Sequence, residues 1–295
     1  MARAGVIGAG LMGTACTRRL LAAGFEVLAC DVDEAKRKAI AQVGARAVAS
    51  VAELARECAI MVIAVFSTDQ VEQVIEGPDG VLHAAVHAGQ QRVVICVSTC
   101  DPDRLAALAG RVAPRGVEFL EVPISGTSGQ VAEGQGVGLV GGSRRVMDDA
   151  AAVLDAICPR RHYLGTVGNG SRAKLAVNLI LGLNRAALAE GLVFAERLGL
   201  DRSALLEVAK GSAAYSQVMD IKGPLMARRE YRNPVSRVDQ SLKDFRLMLA
   251  QAEAHGQELP FSRLYARMLE DCMKHDEAGW DNAAIAEAIA RCNRA

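Results

Sequence analysis

The 295-residue sequence has no excess of charge of either sign, because 34 lysines and arginines balance 34 aspartates and glutamates. A broad basic surface for nucleic acid or an anionic membrane is therefore not expected. No apolar run looks long and uninterrupted enough to span a bilayer. The strand pattern begins by about Arg3, which leaves no room for a signal peptide and favours a cytoplasmic protein.

Paired cysteines and clusters of metal ligands are also missing from the sequence. The eight cysteines are scattered without a Cys-x-x-Cys motif, and most lie in apolar stretches, which indicates reduced core thiols. His83 and His87 are spaced to share a helix face, but no carboxylate or cysteine cluster accompanies them. We therefore predict no metal site.

What the sequence does contain is a glycine-rich turn directly after its first apolar strand. Gly8, Gly10 and Gly13 form G-x-G-x-x-G between a strand over residues 4–8 and a helix, and a second apolar strand follows over residues 25–30. This order of elements predicts a dinucleotide-binding unit. The three glycines would permit, in order, the tight turn, the approach of backbone amides to the pyrophosphate, and close packing of helix on strand.

Residues beside this turn bear on the choice of cofactor. Leu11 and Met12 open the helix whose N-terminus would face the phosphates, so both are predicted cofactor contacts. Asp31 ends the second strand, where a carboxylate can hold both ribose hydroxyls of NAD and would repel the extra phosphate of NADP. Lys36 and Arg37 weaken that distinction, yet the sequence favours NAD over NADP.

Further apolar segments predict a parallel sheet covered on both faces. Ligands bind at the carboxyl ends of strands in such sheets, which makes Phe66, Ser67 and Thr99 candidate cofactor contacts. The hydroxyls and amides of residues 125–129, here called the substrate loop, could bind the carboxylate of a small substrate. The predicted strands cover residues 59–65, 92–97, 117–122, 135–140 and 161–164.

A long apolar helix is predicted over residues 171–198. Glycines within residues 165–170 precede it, and Gly199 ends it. Lys174 and Asn178 are polar positions inside this apolar stretch, and their spacing of four places them on one helix face.

The rest of the chain keeps a helical pattern, which sets a domain boundary near residue 165. The predicted fold class is α/β, with an N-terminal Rossmann-type doubly wound sheet over residues 1–164. A C-terminal all-helical domain for substrate binding and dimerisation covers residues 165–295, and the long inter-domain helix joins the two. Its later helices are predicted over residues 202–210, 213–222, 236–255, 260–275 and 281–292.

Four motifs, in this order, make the whole chain resemble the 3-hydroxyisobutyrate dehydrogenase family of β-hydroxyacid dehydrogenases. VIGAGLMG resembles the family's cofactor fingerprint and EVPISGTSGQVAEGQG its substrate loop. GTVGNGSRAKLAVN resembles its catalytic motif, and SLKDF resembles its C-terminal lysine-aspartate motif. The resemblance implies an NAD(P)-dependent oxidoreductase that transfers a hydride between a small β-hydroxy acid and its semialdehyde or keto acid.

The resemblance also implies roles for particular residues. Lys174 falls on the family's catalytic lysine, a general base in oxidation and an acid in reduction, and Asn178 falls on the asparagine that orients the substrate. Ser125, Gly126 and Thr127 fall on the loop that holds the substrate carboxylate.

Two further positions and the assembly are implied in the same way. Lys243 falls on the lysine that closes over cofactor and substrate, and Thr99 falls on the threonine beside the nicotinamide. The family's long helix usually builds a dimer, so a homodimer or homotetramer is expected.

Departures from the family pattern bear on the substrate. Glu121 replaces an aspartate, Thr127 a glycine and Val177 an asparagine, and Ser236 stands where a phenylalanine is common. These changes would open or polarise the pocket and favour a more hydroxylated acid over a branched apolar one.

Several alternatives remain open from the sequence. The substrate could be 3-hydroxyisobutyrate itself, tartronate semialdehyde, succinic semialdehyde or L-threonate. An imine reductase shares the fold but usually replaces the lysine, and a non-catalytic NAD-binding protein would have no need of Lys174 or Asn178.

Overall fold

A parallel sheet of six strands forms the first part of the structure, a computed structural model that describes residues 2–84 and 91–292. The strand order is β3-β2-β1-β4-β5-β6, which is the doubly wound arrangement expected from the sequence. His87 lies outside the described residues. The strands are β1 (Arg3–Ile7), β2 (Glu26–Cys30), β3 (Arg46–Ala47), β4 (Ile60–Ile63), β5 (Arg92–Cys96) and β6 (Val117–Glu121).

Helices cover both faces of this sheet, because its strands are apolar on both sides. One core contains Leu20, Val62 and Leu154, and the other contains Leu54, Met61 and Leu105. The first face carries α1 (Leu11–Ala22), α2 (Glu34–Gln42) and α8 (Ala151–Ile157); the second carries α3 (Val51–Glu57), α4 (Thr68–Glu76) and α5 (Pro102–Val112).

The substrate loop is more ordered than its sequence suggested. It holds the end of a two-residue strand, β7 (Ile124–Ser125), and the start of a short helix, α6 (Ser128–Ala132). β7 joins a second, three-stranded sheet with β8 (Val137–Val140) and β9 (Arg160–Tyr163), and α7 (Arg144–Asp149) follows β8. Strands and helices this short lack the periodicity by which elements are predicted.

The long helix α9 runs over Asn169–Arg197, close to the predicted span, and Gly199 follows it with a φ of +84°. Among the described residues it is long and apolar enough to cross a membrane, with a mean hydropathy of 1.4 in its most apolar window. The expectation that no segment meets these criteria is therefore wrong. A core helix passes the same test, so one such helix is weak evidence for a membrane.

The chain divides within α9 into two compact units, Met1–Lys174 and Leu175–Ala295, here called the sheet unit and the helical unit. Besides its part of α9, the helical unit contains α10 (Arg202–Lys210), α11 (Val218–Arg228), α12 (Val238–Ala254), α13 (Pro260–Lys274) and α14 (Ile285–Arg291). Its core includes Leu192, Phe245 and Leu269.

The predicted helix over residues 213–222 is wrong at both ends. α11 begins at Val218 and continues through Pro224 to Arg228. Gly223 serves packing here, because a Cβ added to it would lie 2.5 Å from Leu206 Cδ1. Tertiary packing of this segment outweighs the local tendency of a Gly-Pro pair to end a helix.

Candidate active site

The first glycine turn, residues 8–13, shows why its three glycines differ. Gly8 has a φ of +96°, and a Cβ added to Gly13 would lie 1.8 Å from the Gly8 carbonyl oxygen. A Cβ on Gly10 would meet no described heavy atom within 4 Å. Gly8 and Gly13 are therefore required by the fold, whereas Gly10 keeps a surface open.

The N-terminus of α1 lies beside that open surface. Gly10 is its N-cap, no side chain of the described residues caps it, and its first turn contains no acidic residue. Leu11 at the helix start is 52% exposed. Backbone amides at such a terminus suit a pyrophosphate, so the residues of this turn fit a dinucleotide.

Asp31, directly after β2, is tied to the first glycine turn. Its Oδ2 accepts a hydrogen bond from the Ala9 amide at 2.7 Å, and its Oδ1 accepts one from the Asp33 amide at 2.9 Å. Arg37 donates to the backbone carbonyls of Asp31 and Val32, at 2.6 and 3.1 Å. The carboxylate is therefore held in place, and each oxygen keeps a lone pair for a ribose hydroxyl.

The other predicted cofactor contacts follow β4 and β5. Phe66 is 44% exposed, Ser67 is the N-cap of α4, and Thr99 is half-buried. Ser98 joins the two segments: its hydroxyl donates to the Val65 carbonyl at 2.7 Å and accepts from the Val65 amide at 3.0 Å. These residues thus share the carboxyl edge of the sheet with Asp31.

The substrate loop turns at Gly126, where φ is +141°. Thr127 then caps α6: its hydroxyl accepts from the Gln130 amide at 3.2 Å, while its own amide donates to the Gln130 side chain at 2.8 Å. The hydroxyl that Thr127 adds therefore has a structural partner, although its hydrogen can still be donated.

Lys174 is buried in the second turn of α9, with 7% of its surface exposed. Its Nζ donates to the Ile124 carbonyl oxygen at 2.9 Å. Because Ile124 directly precedes Ser125, this bond places the ammonium group against the substrate loop. The structure thus brings together two segments whose bonded residues, Lys174 and Ile124, are 50 positions apart in sequence.

In the helical unit, Asp244 connects the two remaining predicted residues. Asn178 donates through its side-chain amide to Asp244 Oδ2 at 3.0 Å, and Lys243 Nζ lies 3.0 Å from Asp244 Oδ1. Lys243 therefore carries its own counter-charge. Asp244 is adjacent to Lys243 in SLKDF, and this adjacency is the signal in the sequence that could have identified it.

Ser236 belongs to a buried polar network in the helical unit. Its hydroxyl accepts from Lys222 Nζ at 2.9 Å, and Lys222 also binds both oxygens of Asp281 at 2.8 Å. Burial lowers the pKa of Lys222 to about 8, although Asp281 opposes that shift. The serine at this position therefore has a structural role of its own.

The described ranges contain no group of three or more histidine, cysteine or acidic residues that could hold a metal ion. All eight cysteines lie within these ranges and are free thiols, seven of them buried.

Two family models together account for nearly the whole chain. Residues 3–165 match the NAD-binding domain of 6-phosphogluconate dehydrogenase, and residues 168–289 match the NAD-binding region of NADP-dependent 3-hydroxyisobutyrate dehydrogenase. The chain belongs to the 3-hydroxyisobutyrate dehydrogenase-like family of β-hydroxyacid dehydrogenases. The family and fold predicted from the sequence are thereby confirmed.

Individual relatives agree with this assignment. The chain is 33% identical to the L-threonate dehydrogenase of Cupriavidus necator, over 95% of this chain and 94% of the relative. It is 29% identical to glyoxylate/succinic semialdehyde reductase 2 of Arabidopsis thaliana, over 97% and 78%. The 3-hydroxyisobutyrate dehydrogenase structure from Salmonella typhimurium superposes with a TM-score of 0.88 at 26% identity, covering 97% of this chain and 99% of that one.

Membership of this family makes the protein an NAD(P)-dependent oxidoreductase that acts on a small hydroxy acid. The cofactor is a nicotinamide dinucleotide, as the first glycine turn predicted.

Proposed function

We propose that the protein interconverts a small, hydroxylated β-hydroxy acid and its semialdehyde or keto acid, with Lys174 as the general acid–base. The observation that carries this proposal is the 2.9 Å bond from buried Lys174 to Ile124, beside the substrate loop. A proton-transferring lysine must lie within reach of a substrate whose carboxylate is held by that loop.

In the oxidative direction, neutral Lys174 accepts the proton of the substrate hydroxyl as the C=O bond forms. The carbon that bears this hydroxyl releases a hydride with the electron pair of its C–H bond, and bound NAD would supply the acceptor for that hydride. Asn178 lies one helical turn from Lys174 along α9, and its bond to Asp244 holds its side-chain amide in place. Ser125 and Gly126 would bind the substrate carboxylate.

Exchange of the lysine tests the mechanism. We expect Lys174→Ala to lower kcat by about 10³-fold or more, because one group both takes and returns the proton. NADH binding, followed by fluorescence titration, should stay within about twofold of wild type, since Lys174 is not among the cofactor contacts. Turnover at the wild-type rate would refute the proposed role.

The substrate class rests on one hydroxyl and one relative. Thr127 accepts a hydrogen bond and keeps a hydrogen to donate, and the chain is similar to an L-threonate dehydrogenase. We expect kcat/KM for L-threonate or glycerate to exceed that for 3-hydroxyisobutyrate and 4-hydroxybutyrate. A clear preference for 3-hydroxyisobutyrate would contradict this.

NAD is proposed over NADP because the Asp31 carboxylate is fixed at the edge of β2. Its charge would oppose the extra phosphate by roughly 1–4 kcal/mol at contact distance. Steady-state kinetics should give a higher kcat/KM with NAD than with NADP. Asp31→Asn should lower the ratio of these two kcat/KM values by about tenfold. A wild-type preference for NADP would exclude the proposal.

A homodimer or homotetramer is proposed from one face of α9. Ile180 and Phe194 are 59% and 64% exposed, and Gly191 between them on the same face offers no side chain to keep a second helix away. Phe194→Asp should halve the mass measured by sedimentation equilibrium, whereas Glu190→Asp should not. A wild-type monomer would refute this assembly.

A further inference from the structure

A fully buried carboxylate lies at the carboxyl end of β6. Glu121 has no exposed surface, and its backbone pairs in both directions with Gly141, at 3.0 and 2.9 Å. A buried carboxylate is costly unless its oxygens are hydrogen-bonded. Its contacts show what it is bound to.

The partners of Glu121 are the backbone and one hydroxyl at the beginning of α9. Oε1 accepts from the amides of Gly168 and Gly170, the latter at 2.8 Å. Oε2 accepts from the Ser171 amide at 3.1 Å and from the Ser171 hydroxyl at 2.6 Å. The first amides of a helix have no acceptor within the helix, and a carboxylate also interacts favourably with its dipole.

A second bond joins the same two segments three residues further along each of them. Glu121 binds Ser171, and Ile124 binds Lys174. The first contact fixes the start of α9 against the end of β6, and the second is the contact of the proposed acid–base group. The position of Lys174 Nζ at the substrate loop therefore depends on where Glu121 holds the first turn.

We infer that Glu121 is a positioning residue for Lys174, which acts by holding the amides of residues 168, 170 and 171. This inference rests on the proposed role of Lys174. From the sequence alone, Glu121 is only a replacement for the aspartate of the family motif. Its role is to position α9, the helix that carries Lys174, and not to take part in the reaction itself.

The chemistry of the contact makes a carboxylate necessary. Three of the four partners are amide N–H groups, which can only donate. In Glu121→Gln one oxygen becomes an NH₂ group, which would face a donor. Burial raises the pKa of the Glu121 carboxyl above its usual value, although the bonds from Ser171, Gly170 and Gly168 oppose that shift.

Three variants weaken this contact to different degrees. Ser171→Ala removes one hydrogen-bond donor, and Glu121→Asp keeps the charge but has a shorter side chain. Glu121→Gln places an NH₂ group opposite groups that can only donate. The matched control is Arg172→Ala on the same turn, where the side chain is 44% exposed and binds Asp103 at 2.6 Å and Asn169 at 3.1 Å. The readout is kcat per NADH-binding site, because a purely structural defect lowers the number of sites instead. Lys174→Ala is assayed in parallel.

We expect kcat per site to fall about 10- to 100-fold in Glu121→Gln and roughly three- to tenfold in Ser171→Ala, with Glu121→Asp between them. The reason is that misplacing a catalytic group by about 1 Å lowers the reaction rate by a factor of this order. Arg172→Ala should stay within about twofold of wild type. If Glu121→Gln does not fold, Ser171→Ala decides the outcome.

Unchanged kcat per site in Ser171→Ala and in whichever Glu121 variants fold would overturn the inference, provided that Lys174→Ala is inactive. An active Lys174→Ala variant would instead refute the proposed function. The two failures are therefore distinguishable in one experiment.

Discussion

Two glycine-rich turns in the sheet unit each precede a helix, yet the two helix N-termini differ in whether a side chain of the protein binds their amides. The first turn, residues 8–13, leads into α1, whose start has no side-chain cap within the described structure. The second turn, residues 165–170, leads into α9, whose first amides are bound by buried Glu121. One terminus is available for the phosphates of a cofactor, and the other is filled by a carboxylate of the protein.

The difference teaches that a glycine turn predicts a helix start but not what the start binds. The amides of α9 are satisfied by a residue that lies 47 to 50 positions earlier in the chain. No local pattern reports such a partner. The amides at the start of α1 remain open to an anion from outside the chain, whereas those at the start of α9 are bound by Glu121.

The largest effect is expected when the fold of the first turn is broken. In Gly13→Ala the new Cβ would lie 1.8 Å from the Gly8 carbonyl oxygen, so the helix must separate from the strand. We expect the free energy of unfolding to fall by about 3 kcal/mol or more, as for severe overpacking. Urea denaturation measures it. Gly110→Ala in α5, where a Cβ meets no described atom within 4 Å, should instead stabilise by about 0.5–1 kcal/mol.

The next prediction makes the first terminus resemble the second by giving it a carboxylate. Leu11→Asp places an acid in the first turn of α1 at a half-exposed position. Stability should hold or rise by about 0.3–1 kcal/mol through the helix dipole. The Kd of NADH should rise about 10- to 100-fold, because the acid repels the pyrophosphate.

Leu11→Asn is the control for this change, since it has nearly the same shape without the charge. We expect it to bind NADH more tightly than Leu11→Asp. Equal weakening by both variants would show that the shape of Leu11, and not the availability of the terminus to anions, determines affinity.

The contrast between the two turns also shows which parts of the structure could be predicted from the sequence. The strand, the glycine turn, α1 and Asp31 follow one another within about 30 residues, so their spacing alone predicted them. The long helix was predicted from its periodicity. β7 and α6 were missed because two- and five-residue elements show no periodicity.

Other features depend on contacts between distant segments, which spacing cannot report. The bond from Lys174 to Ile124 and the role of Asp244 appeared only in the folded chain. The sequence predicts that a helix ends before Gly223-Pro224, but α11 continues through Pro224 because Gly223 packs closely against Leu206.

The smallest effect is expected at a helix start that neither binds a cofactor nor positions a functional group. Ser50 caps α3: its hydroxyl accepts from the Glu53 amide at 3.1 Å, and Glu53 accepts from the Ala49 amide at 3.0 Å. Ser50→Ala should lower the free energy of unfolding by about 1 kcal/mol. The Kd of NADH and kcat per site should not change, because this cap acts on stability alone. A tenfold loss of kcat in Ser50→Ala would mean that loosening any helix of the sheet unit lowers turnover. A low kcat in Glu121→Gln would then no longer distinguish the positioning of Lys174 from such general loosening.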